Sequence, residues 1–282
     1  MIFELIVLGL AFVVLIVASI NDLKTREVPD YVSYMLLGIA IILRLLWFVA
    51  EGNANIILWA PISFSVLFLF SYLMYRAGQW GGGDVKVMMG LSVLLSWFPW
   101  GTLPFFVDFF LNSLIIGAFY GLISVCLIGI LHWDKLRKQL LTVDYVLLPA
   151  IVIAVILVFR FVPLLFAILI SLIIVAVGLF RYFRVIESNF LNKEIDVEQL
   201  TEGDWLLHDV KVGGKNVVKK RDVGLLTEDL KKLRQLKRQG KLKKVSIKVG
   251  IPFVPAFLIS LIVTLAFGNV LLRIMSYGFS II

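Results

Sequence analysis

Charge and cysteine are what this sequence has least of. Only 16% of its 282 residues are charged, against 61% that are hydrophobic, and the mean hydropathy is +1.00. A water-soluble domain runs nearer a quarter charged, so an ordinary soluble fold is excluded. The single cysteine, Cys126, can neither close an internal disulfide nor build a thiolate zinc site. It lies in an apolar run, where packing is its expected role, and neither a metal nor a cofactor is expected. The short alternating strands of a membrane barrel are missing as well. The one glycine run, Gly81-Gly82-Gly83-Asp84, lacks the Gly-Lys-Ser/Thr ending of a phosphate-binding loop. No recognition motif accompanies the basic residues, so nucleic acid is not an expected partner. The first apolar run lacks a basic leader and a small-residue cleavage site, and it reads as a retained span.

What is present is a series of long apolar runs, each able to cross the roughly 30 Å hydrocarbon core as a helix. They fall at 2–20, 31–50, 56–75, 86–99, 104–131, 145–161, 163–180 and 251–268. The expected fold is an all-α polytopic membrane protein of about eight transmembrane helices with a small α+β cytoplasmic insert. Its parts are a membrane core over 1–184, the insert over 185–249, and a closing membrane helix within 250–282. Lys24, Arg26, Arg76, Lys86, Lys135, Arg137 and Lys138 all follow odd-numbered spans or precede even ones, whereas 51–55 and 100–103 carry no Lys or Arg. Arg160 is the exception. That bias places the N-terminus outside and the basic loops in the cytoplasm.

Residues 181–249 hold 17 Lys and Arg against 10 Asp and Glu, so +7 of the formal +8 resides there. Within it, Trp205 to Val212 reads as a strand entering a turn at Gly213-Gly214. Thr227 reads as a helix N-cap, with Glu228 and Asp229 in the first turn and Gly240 closing the helix. Leu230, Leu233 and Leu236 share a face among many basic residues. Such a helix suits anionic lipid headgroups, which makes 227–248 the expected membrane-surface segment.

Acids in or beside membrane spans are costly and therefore candidates for function. Asp22 ends the first span and Asp84 opens the fourth. Spans two and three return the chain to the face it left, so both acids fall at one membrane depth. Asp108 lies near the other face, with Asn112 one turn on as its expected contact. Asp144 is a reserve candidate, read first as an acid favoured by a helix N-terminus. Two close carboxyls sharing a proton supply both a base and an acid near neutral pH, the pair that hydrolysis of a peptide bond needs. Asp22 at a helix C-terminus should be the more protonated partner and Asp84 at an N-terminus the more ionised. Gly81, Gly82 and Gly83 are expected to permit positive φ and a close approach by substrate backbone. Lys86 either supports the pair or snorkels to headgroups.

These residues resemble a known family. Gly81-Gly82-Gly83-Asp84-Val85-Lys86 is similar to the Gly-x-Gly-Asp signature of membrane aspartyl peptidases, in the form typical of type IV prepilin peptidases. Asp22-Leu23-Lys24-Thr25-Arg26-Glu27-Val28-Pro29-Asp30 resembles their first-aspartate segment, and Ile251-Pro252-Phe253-Val254-Pro255 resembles their Pro-Phe-x-Pro helix start. The resemblance implies an endopeptidase that removes the short basic leader from type IV pilin-like or archaellin precursors at the cytoplasmic membrane face. Asp22 and Asp84 would be catalytic, with Gly81, Gly82, Gly83, Lys86, Pro252 and Pro255 in support. The four-cysteine zinc module of bacterial members is absent, as one cysteine requires, and the layout is closer to archaeal prepilin and preflagellin peptidases.

Three other readings carry distinct expectations. A presenilin or signal-peptide-peptidase type of protease would have its acids on adjacent helices, the first in a Tyr-Asp pair; here Asn21 precedes Asp22 and two spans intervene. A proton- or cation-coupled transporter would carry acids near mid-bilayer on helices broken in corresponding halves. A non-enzymatic scaffold would depend on 185–249 and not on either aspartate.

Overall fold

The computed structural model describes residues 2–100, 103–139, 142–221 and 224–279. The membrane part is built from α1 (Ile2–Thr25), α2 (Asp30–Glu51), α3 (Asn55–Arg76), α4 (Gly82–Leu94), α5 (Phe105–Leu131), α6 (Trp133–Gln139), α7 (Thr142–Phe161) and α8 (Leu164–Phe190). The insert then contributes β1 (Asn192–Asp196), β2 (Trp205–Leu206), β3 (Val210–Val212), β4 (Lys215–Val218), α9 (Thr227–Arg238) and β5 (Lys244–Lys248). Two helices, α10 (Val254–Phe267) and α11 (Val270–Phe279), complete the described chain.

Four helices, α1, α2, α3 and α5, are long and apolar enough to cross a membrane, and α10 and residues 145–161 are shorter apolar helices. The apolar run 86–99 departs from the expected span. Its helix has only 13 residues, or about 20 Å at 1.5 Å per residue, short of the hydrocarbon thickness. It survives because it is interior. Val87, Met88, Gly90, Leu91, Ser92 and Leu94 are all buried, which gives a helix apolar all round and enclosed by protein. Gly90 allows this: a Cβ there would meet the Leu36 side chain at 2.6 Å.

A short helix in apolar surroundings leaves its last carbonyls without partners. Arg44, 1% exposed on α2, supplies them. Its guanidinium donates to the carbonyls of Val93 (3.1 Å), Leu94 (2.6 Å) and Trp97 (2.8 Å), and it lies against the rings of Trp47 and Phe98. A lone arginine in an otherwise apolar run was the sequence signal for this cap, and the topological reading passed over it.

The insert folds around a core of its own, with Val197, Leu200, Leu206, Val210, Val218, Leu225, Leu230, Leu233, Val245 and Ile247 in mutual contact. β5 is the centre of an antiparallel sheet ordered β1-β5-β2, while β3 and β4 form a separate hairpin. Gly213 and Gly214, with φ of +58° and +81°, make its two-residue turn. The chain enters the insert on β1 and leaves on the adjacent β5, so both connections to the membrane part lie side by side. Three details differ from the sequence reading, the first being that Trp205 to Val212 is not one strand but β2 and β3, which pair in different sheets and are separated by 207–209. Leu226, not Thr227, caps α9, and the Thr227 hydroxyl donates to Glu202 instead. Leu230 and Leu233 are used up in the insert's core, which leaves α9 only its charge to offer a lipid surface.

Candidate active site

The last turn of α1, the first turns of α4 and α10, and the loop between α1 and α2 meet at one end of the helices. Asp22 projects from the buried stripe of α1 that also contains Leu15, Ala18 and Ser19. Asp84 is the third residue of α4. Both side chains are buried, at 6% and 8% exposure, yet each lies within electrostatic reach of the other. Burial of two acids within each other's field is expensive and requires specific compensation.

That compensation comes from backbone amides. The Gly81 N–H donates to Asp84 Oδ2 (2.8 Å). This is half of a capping box: glycine has no side chain to return the bond. The Val254 N–H, the first of α10, donates to Asp22 Oδ2 (2.9 Å), with the Phe253 amide beside it. Asp22 therefore meets a helix N-terminus just as Asp84 does. The expected asymmetry, a helix C-terminus against an N-terminus, is levelled by α10, a partner 232 residues away in sequence.

An aromatic cluster joins the two amides. Trp80, immediately before the glycines, packs on Phe253 and Phe257, with centroids 5.6 Å and 5.3 Å away, and on Phe70 of α3. Tyr120 of α5 stands edge-on to Phe253 and within electrostatic reach of Asp22. Phe253 belongs to the Pro-Phe-x-Pro segment noted in the sequence, whereas Phe70, Tyr120 and Phe257 were not singled out, because nothing local distinguishes them from lipid-facing aromatics.

The glycines act differently from the expectation. None of Gly81, Gly82 and Gly83 has positive φ; that conformation belongs to Gly78, at +67°, where α3 turns toward the site. Gly83 instead admits the α1–α2 loop: a Cβ there would lie 3.4 Å from the Val28 backbone nitrogen. Gly81 lies under Asp84 Oδ2, and Gly82 faces the Tyr75 ring. Lys86 pairs with Asp30 (2.5 Å) and lies over the Tyr34 ring, so its charge is engaged on α2. Pro255 occupies the first turn of α10, where its missing N–H costs nothing, and Pro252 lies in the segment leading to it.

Asp108 is elsewhere. It accepts from Asn269 Nδ2 (2.9 Å), while Asn112 binds Thr264, the Gly268 carbonyl and the Val270 amide, so the two reach across to α10 and α11 instead of to one another. Val254 and Thr264 are ten residues apart on α10, which separates this network from Asp22 by about 15 Å. A cavity of about 330 Å³ lined by Phe98, Phe105, Asp108, Asn269 and Arg273 also belongs to that end. The reserve candidate Asp144 has a side chain outside the described residues. Among the described residues, no three His, Cys, Asp or Glu side chains converge to hold a metal ion.

Fold and site together define a helical membrane protein with two buried carboxylates gathered from separate helices at one end. Residues 9–122, which include both acids, match the model of the type IV leader peptidase family. Prepilin peptidase EppA of Methanothermobacter thermautotrophicus is 22% identical over 95% of this chain and 96% of its own length. The preflagellin peptidases of Methanocaldococcus jannaschii and Methanococcus voltae are 37% and 33% identical, each over 29% of this chain and 34% of their own length. No solved structure matches. Over residues 9–122 the chain is similar to the type IV leader peptidase family, and these matches support a protease.

Proposed function

We propose that this protein is an aspartyl endopeptidase of the cytoplasmic membrane that removes the short basic leader from type IV pilin-like or archaellin precursors. Asp22 and Asp84 are its catalytic pair. The observation that carries the reading is the pair itself: two buried acids from α1 and α4, within each other's field and held by backbone amides. One carboxylate takes a proton from a water molecule, whose oxygen attacks the scissile carbonyl carbon. The other, protonated, gives its proton to the carbonyl oxygen. Collapse of the tetrahedral species breaks the C–N bond as the amine is protonated, and the pair regains its single shared proton.

The full arrangement in this reading has about eight membrane segments, of which α4 is a short interior helix, with the N-terminus outside and the carboxylates at the cytoplasmic edge, because the Lys- and Arg-bearing loops share that edge. The intervening α2 and α3 favour this branch over the presenilin type. Confinement of both acids to one end favours it over a transporter.

The test is cleavage, in membranes, of a precursor with a short basic leader. Asp22→Asn and Asp84→Asn should each lose about a thousandfold or more of the rate, and Asp108→Asn should stay within about threefold of wild type. The wild-type pH–rate profile should have an acidic limb, where the base becomes protonated. Normal cleavage by either Asn variant at the pair would end the proposal.

A further inference from the structure

Arg26 has a conformation that its residue type does not favour. It is the one non-glycine among the described residues with positive φ, at +60°, and it follows the last helical residue of α1. Its N–H closes the final turn by donating to the Asp22 carbonyl (2.8 Å). Glycine or asparagine usually fills such a left-handed helix end, and an arginine there is strained. The side chain has a use that offsets the strain. Arg26 Nη1 donates to the Gly250 carbonyl (3.0 Å), and the guanidinium lies within electrostatic reach of the Asp22 carboxylate.

Two five-residue segments, 22–26 and 250–254, are thereby joined at both ends. Arg26 bonds Gly250 at one end, and Asp22 bonds the Val254 amide at the other. The pairing runs antiparallel, so a shift at either bond is transmitted to the other across a short, closed ring. The insert reinforces it: β5 runs directly into Gly250, and the Thr201 hydroxyl donates to Glu27 (2.6 Å), next to Arg26.

We infer that Arg26 is a positioning residue for Asp22. Its clamp on the Gly250 carbonyl holds the first amide of α10 against the Asp22 carboxylate and fixes that acid relative to Asp84. This role rests on the aspartyl-peptidase reading, but the clamp itself is measurable without it. Arg26→Gly is the informative variant, because glycine accepts φ +60° and removes the guanidinium without adding strain.

In the purified full-length protein, Arg26→Gly should accelerate hydrogen–deuterium exchange of the peptide containing Val254 by about fivefold or more, as its amide loses a fixed acceptor. In precursor cleavage, kcat should fall about tenfold with KM within about twofold, the signature of misplaced machinery rather than lost substrate contact. Arg26→Lys, which keeps a donor, should recover most of both. Unchanged exchange at Val254 would overturn the clamp, and so would a raised KM with kcat intact, which would make Arg26 a substrate contact. If instead Asp22→Asn cleaves normally, the peptidase reading falls while the exchange result still decides the clamp.

Discussion

The two ends of the helical core handle acids in opposite ways. At the Asp108 end, the carboxylate and its neighbours are spent on one another: Asn269 serves Asp108, and Asn112 serves Thr264, Gly268 and Val270. Nearby, Arg44 saturates three carbonyls of the α4 end. These side-chain networks stitch helices together. At the other end, Asp22 and Asp84 are buried within electrostatic reach of one another and are held by backbone amides, not by a side-chain network. A fold needing only stability would not bury two acids there, because each costs several kcal/mol to desolvate. In the proposed reading, one end is arranged for cohesion and the other for chemistry.

That contrast can be broken by substitutions that move stability and cleavage independently. Below the thousandfold rate losses at Asp22 and Asp84, the next largest effect belongs to Arg44. Arg44→Met leaves three buried carbonyls without donors and should cost about 3 kcal/mol, read as a lowered thermal midpoint in detergent. The surviving folded enzyme should cleave at close to the normal rate. Asn112→Leu, which strips several bonds from the same end, should cost about 2 kcal/mol, again with cleavage per folded molecule unaffected. Gly117→Val acts on the opposite end. A Cβ at 117 would lie 2.5 Å from the Phe253 ring, so the ring beside Val254 must move. Overpacking of this kind costs about 1–3 kcal/mol, and here kcat should fall about tenfold, more than the small change in thermal midpoint explains. A Gly117→Val protein that is unstable yet fully active once folded would erase the distinction between the two ends.

Much of this was legible in the sequence. Apolar runs give helices, and the alternation of basic loops brings Asp22 and Asp84 to one side before any contact is known. The separate core of the insert was foreshadowed by its composition and its Gly-Gly turn. What was not legible depends on partners distant in the chain. The run 86–99 looks like a span, but its helix ends at Leu94, ahead of Pro99 and against Arg44 on another helix. Dipole reasoning assigned Asp22 to a helix end without foreseeing that α10 would present its own N-terminus to the same oxygen. Gly83 looked like room for a substrate and is instead room for Val28. Leu230 and Leu233 of α9 looked free for a membrane and are claimed by the insert. Local pattern thus marked the two acids as candidates, while their settings came from tertiary contact.

The central claim is that Asp22 and Asp84 work as one unit. It is tested most directly by a double-mutant cycle on precursor cleavage with Asp22→Asn, Asp84→Asn and the two combined. Residues of one catalytic unit are strongly non-additive, so the double variant should cleave within about threefold of either single variant, all being about a thousandfold or more below wild type. Losses that multiply, or a single variant that retains normal cleavage, would contradict the account.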